Sequence, residues 1–204
     1  MCPMRLGRAW FVLLTIAIVS CSPSTAERPW ADQIAFDRAE KDRSFRERPE
    51  SPLLPEQKGS FAGLSYFSID ESYRVPASLA VAPEDARAIV KMPTSTGQMR
   101  DMVRVGRLAF TLKEQALQLS AFIEAGESRV DRLFLPFSDL TTGRETYAGG
   151  RYLDLTRSPS GVYDLDFNRA YHPYCFYNAT YDCPYPPPEN RLPVAVRAGE
   201  RLPS

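Results

Sequence analysis

The segment ALQLSAFI at residues 116–123 decides the fold class, because apolar side chains recur at every second position from Leu117 to Ile123. In an extended chain such residues share one face of a strand and can pack against a core. Seven further strand-like segments, separated or kinked by glycine-containing turn signals, lie on either side of it: 61–67, 73–81, 88–92, 102–112, 132–137, 151–155 and 162–167. Short strands at this spacing predict a mainly β fold, either an antiparallel β-sandwich or a curved, barrel-like sheet.

A single amphipathic helix is predicted ahead of these strands, from Pro29 to about Arg48. Proline suits the first turn of a helix, and Trp30 and Ile34 begin an apolar face opposite charged residues. Further apolar residues in the segment are Ala31, Ala35, Phe36, Ala39 and Phe45. We expect this helix to cap one end of the core, with a partner-binding helix as the alternative. With this one helix, the predicted fold is mainly β and only marginally α+β.

The first 21 residues have the pattern of a bacterial lipoprotein signal. Arg5 and Arg8 precede an uninterrupted apolar run from Trp10 to Val19, and Ser20 and Cys21 follow. A basic start, a short apolar stretch and a small residue before the cleavage point are typical of a secretory signal. About ten apolar residues would span roughly 16 Å as a helix, half of the hydrocarbon core, so they predict no transmembrane anchor. The end of the run resembles a lipobox, in which the cysteine is lipidated after cleavage.

This interpretation divides the chain into a signal peptide at 1–20, a lipidated tether at 21–28 and a single globular domain at 29–204. We expect the protein to be exported and held at a membrane through lipid on Cys21, because several acyl chains give stable anchoring. Ser22 follows where an inner-membrane retention signal would have Asp. In a diderm cell the expected location is therefore the periplasmic face of the outer membrane.

The composition excludes several classes of function. The 25 Lys and Arg residues balance 25 Asp and Glu residues, so the charge excess expected of a nucleic-acid-binding protein is missing. One histidine rules out most multi-histidine metal sites. The sequence contains no phosphate-binding glycine loop, no HExxH and no Gly-x-Ser-x-Gly motif. We therefore expect no cofactor and no metal.

Two cysteines remain in the mature chain once Cys2 is removed with the signal and Cys21 is lipidated. Because disulfides persist in exported proteins, a bond between Cys175 and Cys183 is favoured, with two reduced, buried thiols as the alternative. Together with His172 the pair would supply only three metal ligands, and its spacing is not a usual zinc spacing.

The last third of the domain is rich in aromatic residues and proline. Eight of the 23 aromatic residues lie between residues 163 and 185, and prolines follow closely. Loops of this composition lose little entropy on ordering, so the segment can be structured without regular hydrogen bonding. We expect it to wrap over the sheet and complete the core. The alternative is an aromatic-lined ligand site.

Two polar clusters in this region are candidates for chemistry. Asp164 and Asp166 would lie on one face of a strand, about 7 Å apart, a spacing that suits acid/base work or a cation site. Arg151 and Arg169 could instead neutralise them. A second cluster follows a triproline at 186–188 and, if the chain turns back, would join the first in one pocket. The candidate binding residues are Arg151, Asp164, Asp166, Asn168, Arg169, Tyr171, Glu189, Asn190 and Arg191.

Several motifs together resemble the bacterial and archaeal family called domain of unknown function 1684. The resemblance spans roughly residues 30 to 201, and the motifs that carry it are FSDLTTG at 137–143, ETYAGGRYL at 145–153, DLDFNRAY at 164–171, PYC at 173–175, CPYPPPENRL at 183–192 and AGE at 198–200. The resemblance implies a secreted or lipid-anchored protein, in agreement with the signal, and transfers no activity.

Three functional hypotheses follow. The leading one is an envelope lipoprotein whose β domain binds a small ligand or an envelope protein through the C-terminal clusters. The second is a hydrolase or lyase that uses Asp164, Asp166 and Glu189 as acid/base groups. The third is a purely structural envelope protein.

Overall fold

The computed structural model describes residues 28–127, 132–156, 158 and 160–203. The expected signal peptide, the lipidated cysteine and most of the tether lie outside these residues. The helices are α1 (Trp30–Glu47) and α2 (Pro55–Lys58), and the strands are β1 (Arg74–Val81), β2 (Ile89–Pro93), β3 (Met99–Leu112), β4 (Gln115–Glu124), β5 (Arg132–Phe137), β6 (Arg151–Thr156) and β7 (Val162–Asp166). Short 3-10 turns precede β1 and β2 and follow β7.

The seven strands form one antiparallel sheet in the order β6-β5-β4-β3-β1-β7, with β2 also paired to β3. The sheet is nearly closed into a barrel. A single bridge between Tyr152 and Tyr171 joins β6 to the chain just beyond β7. The mainly β prediction is confirmed, with the curved, barrel-like sheet rather than the sandwich. The predicted strand at 61–67 is wrong, since this stretch makes only one isolated bridge, from Tyr66 to Glu200.

The inner face of the sheet carries the main apolar core. Each strand from β4 to β7 contributes a fully or almost fully buried leucine: Leu119, Leu135, Leu153 and Leu165. The C-terminal segment at 192–198 alternates in the same way and buries Leu192, Val194, Val196 and Ala198 in this core. This segment therefore completes the core although it forms no strand.

A bulge in β3 separates two parts of that strand. The register with β4 shifts between Arg104 and Gly106, and a Cβ atom at residue 106 would collide with the carbonyl of Ala80 on β1. Beyond the bulge β3 pairs with β1, whereas its first part, residues 99–103, pairs with β2. Glycine is thus required at residue 106, where β3 pairs with both β1 and β4 and the β1 backbone leaves no room for a Cβ atom.

A second apolar cluster lies on the outer face of the sheet. It contains Met92, Met102 and Phe122, with Phe134 packed against them. The segment at residues 171–188, called here the Pro/Tyr-rich segment, covers this face: the Tyr185 N–H donates to the carbonyl of Pro93 at 2.8 Å, extending the β2–β3 hairpin. The predicted wrapping of the Pro/Tyr-rich segment over the sheet is confirmed.

The helix α1 begins and ends within one residue of its predicted limits. Ile34 and Phe45 are its buried apolar residues, whereas Ala31, Ala35 and Ala39 are exposed, so the predicted alanine stripe does not pack. The face that packs includes Arg38, whose guanidinium donates to the carbonyls of Phe67 and Asn168. None of the helices in the described part of the chain is long and apolar enough to cross a membrane.

Candidate functional site

A groove of about 650 Å³ lies between the outer face of the sheet and the Pro/Tyr-rich segment. Its floor is a series of rings in edge-to-face contact. The ring centroids of Phe134 and Tyr152 are 4.7 Å apart, and those of Tyr152 and Tyr171 are 5.7 Å apart. The volume falls within the range of roughly 300–1,000 Å³ that is common for small-molecule sites. We call this feature the outer groove.

Strand register places the floor residues on one face. Phe122 on β4 pairs with Phe134 on β5, which pairs with Asp154 on β6. Side chains alternate along a strand, so Tyr152 and Asp154 point outward while Leu153 and Leu155 point into the core. Phe122 and Phe134 are directly opposed, and Tyr152 is a diagonal neighbour of Phe134, so the aromatic side chains are within reach of one another.

The rim of the outer groove carries charges of both signs. Arg100 pairs with Asp182 at 2.9 Å, and Arg132 approaches Asp154 at 3.5 Å. The Tyr171 hydroxyl donates to Asp154 at 2.8 Å, and burial raises the pKa of Tyr171, so that the hydroxyl remains protonated. The remaining charged lining residues are Lys41, Glu124 and Glu127. Partly exposed pairs contribute little to stability and can exchange partners with a ligand.

Arg151, a candidate binding residue, is fully buried away from the outer groove. Its guanidinium pairs with Asp139 at 2.8 Å and donates to the carbonyls of Val196, Ala198 and Glu200. Burial lowers the pKa of Arg151, and the neighbouring Asp139 carboxylate partly offsets this effect. Arg151 therefore fixes the C-terminal segment in place. The alternation RYLDL of β6 was the available signal, because it puts Arg151 on the same face as the core leucines.

Glu200 is the centre of a second buried polar network. Its carboxylate accepts hydrogen bonds from Lys41 at 2.6 Å, from the Tyr177 hydroxyl at 2.7 Å and from the His172 backbone N–H at 2.7 Å. The His172 ring accepts from the Tyr147 N–H at its Nε2 atom, and burial lowers the pKa of His172 to about 4. The network ties α1 to the C-terminal segment.

Asp166 and Asn168 hold the start of α1 and the loop before β1. Asp166 accepts from the Trp30 indole N–H and from the Asn168 side chain, each at 2.9 Å. Asn168 also exchanges two hydrogen bonds with the backbone of Asp70. Both residues are buried, so their polar groups are already satisfied within the fold.

The other acidic candidate of β7 is separate from this cluster. Asp164 is exposed and pairs with Arg74 on the neighbouring strand at 2.7 Å. Arg169 pairs with Asp37 of α1 at 2.6 Å. Asp164 and Asp166 therefore have different partners, and the predicted carboxylate pair does not form a shared acid/base or cation site.

The cluster after the triproline is built around a buried amide. Asn190 donates to the carbonyls of Ser120 and Pro136 and accepts from the Ser120 N–H. Glu189 is exposed and lies 3.4 Å from Arg104, and Arg191 is exposed beside it. Asn190 thus joins the segment to β4 and β5.

The structure does not assemble the single C-terminal site that the sequence suggested. Among the described residues, no hydrogen bond or ion pair links the 189–191 cluster with Asp166 or Asn168. The reason is that Asn190 faces β4 and β5, whereas Asp166 faces the start of α1 and Asn168 faces the loop before β1. Of the nine candidates only Tyr171 lines the outer groove.

Cys175 and Cys183 are not bonded to each other, so the predicted disulfide is absent from the structure. The Cys175 N–H donates to the Cys183 sulfur at 3.3 Å. Cys183 is buried in the wall of the outer groove, whereas Cys175 is partly exposed. Across the described ranges, no three His, Cys, Asp or Glu side chains are grouped so that they could hold a metal ion.

The sequence analysis offered an aromatic-lined site in the tyrosine-rich region as an alternative, and Tyr171, Tyr174 and Tyr181 of this region line the outer groove. It did not identify the part of the groove that β4, β5 and β6 supply, nor two of the buried anchors. Tyr152 and Asp154 alternate with core leucines, and this period alone would have placed them together on the outer face. Asp139 lies in the FSDLTTG motif and Glu200 in the AGE motif. Membership of these motifs was the only sequence feature that pointed to either residue.

Comparisons with known proteins place the chain among uncharacterised relatives. A family model described as "Protein of unknown function (DUF1684)" matches residues 59–201. Similar solved structures include the solution NMR structure of an uncharacterised protein of Haloarcula marismortui. That protein is 41% identical, with a TM-score of 0.66 over 85% of this chain and 94% of the other. No curated protein matches the sequence.

Proposed function

The chain belongs to DUF1684, a family of proteins of unknown function, and for this member we propose a ligand-binding role. It is an exported, lipid-anchored envelope protein whose β domain holds a small organic molecule in the outer groove. The observation that carries the proposal is the groove itself, in which an aromatic floor lies below a rim of partly exposed charged side chains.

The ligand class follows from the floor and the rim. Rings such as Phe134 and Tyr171 favour an apolar, ring-shaped body that can stack or make edge contacts. The basic groups of the rim already have acidic partners: Arg100 pairs with Asp182, Arg132 with Asp154, and Lys41 with the buried Glu200. Because none of these three basic groups is left without a partner, the groove suits an uncharged or zwitterionic molecule with hydrogen-bonding groups on its edge.

The N-terminal sequence supports the location. A basic start, a short apolar run and a lipobox ending in Cys21 precede the domain. Fewer than ten residues lie between this cysteine and the start of α1 at Trp30. A lipid-anchored domain on so short a tether samples ligands close to the membrane surface.

The acid/base alternative has no comparable support. Asp164, Asp166 and Glu189 each engage a different partner: Arg74, the Trp30 indole and Arg104. The structural alternative leaves the outer groove without a role, and the experiment below separates it from the proposal.

The test is to purify the full-length protein from the membranes of its own cells, denature it and identify released small molecules by mass spectrometry. Phe134→Ala removes part of the floor, and Leu140→Ala is the matched control because Leu140 is exposed and lies outside the groove. We expect a retained molecule in the wild type and the control. Loss of about 1.4 kcal/mol of binding free energy would reduce retention about tenfold in Phe134→Ala. Equal release from all three proteins, or none, would favour the structural alternative.

A further inference from the structure

Cys175 and Cys183 form an asymmetric pair of thiols. The Cys175 N–H points at the Cys183 sulfur at 3.3 Å, so the two residues are in contact across the turn that they bracket. Cys175 is partly exposed, whereas Cys183 is 8% exposed and is held by its N–H, which donates to the Ser95 hydroxyl at 3.0 Å. Cys175 is therefore the more exposed residue of the pair.

The surroundings of the pair favour a thiolate at Cys175. The Cys183 thiol donates to the Cys175 sulfur and lowers the pKa of Cys175 to about 6, while the same hydrogen bond raises the pKa of Cys183. The Tyr147 hydroxyl lies 3.9 Å from the Cys175 sulfur and adds a second donor, and burial raises the pKa of Tyr147, so that it stays protonated. The other titratable groups that interact with this cluster are Tyr152, Tyr185 and Arg100.

The structure shows no covalent link between the two sulfurs. Reactive cysteines are partly exposed, carry a lowered pKa and often lie beside a resolving cysteine. A purely structural pair would have two shielded, protonated thiols.

We propose that Cys175 and Cys183 form a thiol–disulfide exchange site, with Cys175 as the attacking sulfur, Cys183 as the resolving sulfur and an external disulfide as the substrate. Cys183 lies in the wall of the outer groove, but the exchange uses the two sulfurs and not the aromatic floor, so neither proposal depends on the other.

The exchange balances without any further reactant. The Cys175 thiolate attacks one sulfur of the substrate disulfide, forms a mixed disulfide and releases the other half as a thiolate, which takes up a proton. Cys183 then loses its proton and attacks Cys175, so that the Cys175–Cys183 bond forms and the second half leaves as a thiolate. The substrate is reduced by two electrons and the cysteine pair is oxidised by two.

The test uses the reduced full-length protein, oxidised glutathione as the probe and site-resolved mass spectrometry, which keeps Cys2 and Cys21 distinct from the pair. In the wild type we expect an intramolecular Cys175–Cys183 bond. In Cys183→Ala we expect glutathione to remain attached to Cys175, and in Cys175→Ala we expect Cys183 to gain at least about tenfold less glutathione. Circular dichroism of each variant verifies that it is folded. The experiment is then repeated with a disulfide-bonded protein in place of oxidised glutathione.

The pH dependence of alkylation by iodoacetamide gives an independent measure. The rate at Cys175 should rise with a midpoint near pH 6, and the midpoint should move up by at least one unit in Cys183→Ala, which lacks the donating thiol. Reaction with either disulfide probe in the expected residue order supports the site and identifies its source. No reaction with both probes, preferential modification of Cys183, or a Cys175 midpoint above pH 8 would overturn the proposal.

Discussion

Arg151 and Asp139 form an ion pair, with 2.8 Å between nitrogen and oxygen, in which both side chains are completely excluded from solvent. The same guanidinium donates to three carbonyls of residues 196–200, of which only Glu200 makes a β-bridge, to Tyr66. A single residue of β6 thus supplies hydrogen bonds that a neighbouring strand would otherwise make. Both terminal nitrogens of the guanidinium are thus engaged within the fold, which explains why Arg151 is an anchor rather than a ligand-binding residue.

Replacing this arginine should destabilise the protein strongly. Arg151→Met leaves Asp139 charged and unpaired in the interior, a change that typically costs about 3–5 kcal/mol. Urea unfolding measures the free energy of unfolding, and Arg151→Lys is the matched control that keeps the charge. We expect lysine to recover only part of the loss, because one ammonium group lacks the fork that reaches four acceptors.

A double variant tests whether the two side chains act as a pair. Arg151→Met combined with Asp139→Leu removes both charges, so the combined loss should be smaller than the sum of the single losses by at least about 0.5 kcal/mol. Simple additivity would show that the ion pair is not the source of the stability.

The buried amide of Asn190 should also contribute to the stability of the fold. It makes three hydrogen bonds to the backbone of Ser120 and Pro136, so Asn190→Ala leaves buried groups unpaired and should cost about 1–3 kcal/mol. Asn190→Asp should be worse, because a carboxylate would face two carbonyl oxygens. The neighbouring exposed Arg191→Ala is the control and should change the free energy of unfolding by less than about 0.5 kcal/mol. Equal effects at both positions would contradict this role.

His172 should make the protein less stable in mild acid. Its folded-state pKa of about 4 lies below the ordinary value near 6.5, because burial disfavours the charged ring. Between these pH values the unfolded chain binds the proton and the folded chain does not, so stability is full above pH 6.5 and falls as the pH drops toward 4. The contribution is at most about 1.4 kcal/mol per pH unit.

The measurement is the free energy of unfolding between pH 4 and 8 for the wild type and for His172→Asn. Asparagine can accept the Tyr147 N–H but has no titrating proton. The difference between the two proteins should narrow as the pH falls through this window. A constant difference would mean that the ring is not buried in its neutral form.

Lipidation should depend on Cys21 alone. Cys21→Ser removes the sulfur that would carry the lipid, so radiolabelled palmitate should not be incorporated and the protein should accumulate as precursor or soluble material. Cys2→Ser is the control, since Cys2 would be removed with the signal. Unchanged labelling and membrane fractionation in Cys21→Ser would refute the lipoprotein proposal.

Most of the sheet could be predicted because its strands follow a period of two. The alternation from Leu117 to Ile123 lies within β4, and Gly106 marks the bulge in β3. The strand predicted at 61–67 does not form, although the stretch contains apolar residues. Phe61 packs against the helix instead and stacks on Phe45 of α1, with 6.0 Å between the ring centroids. Apolar periodicity reports burial, and it does not report whether the backbone finds a strand partner.

The site was harder to predict, because a long polar side chain can be buried when distant segments supply its partners. Arg151 meets carbonyls about 45–49 residues away in the sequence, and Asn168 meets Asp70 across 98 residues. No local pattern encodes such pairs. The outer groove likewise depends on the register of β4, β5 and β6, which places Phe134 and Tyr152 together only once the sheet has formed.

The most direct test of the outer groove is to locate the bound molecule on the protein. The molecule released from the wild type would be added back to ligand-free, isotope-labelled protein, and the amide chemical shifts would be followed by NMR. We expect saturable shifts confined to the groove, at residues 122–124, 132–134, 152–154 and 171–184. Shifts centred instead on the opposite exposed strand surface around Ser78 and Ala109, or no saturable shifts at any residue, would contradict the central claim.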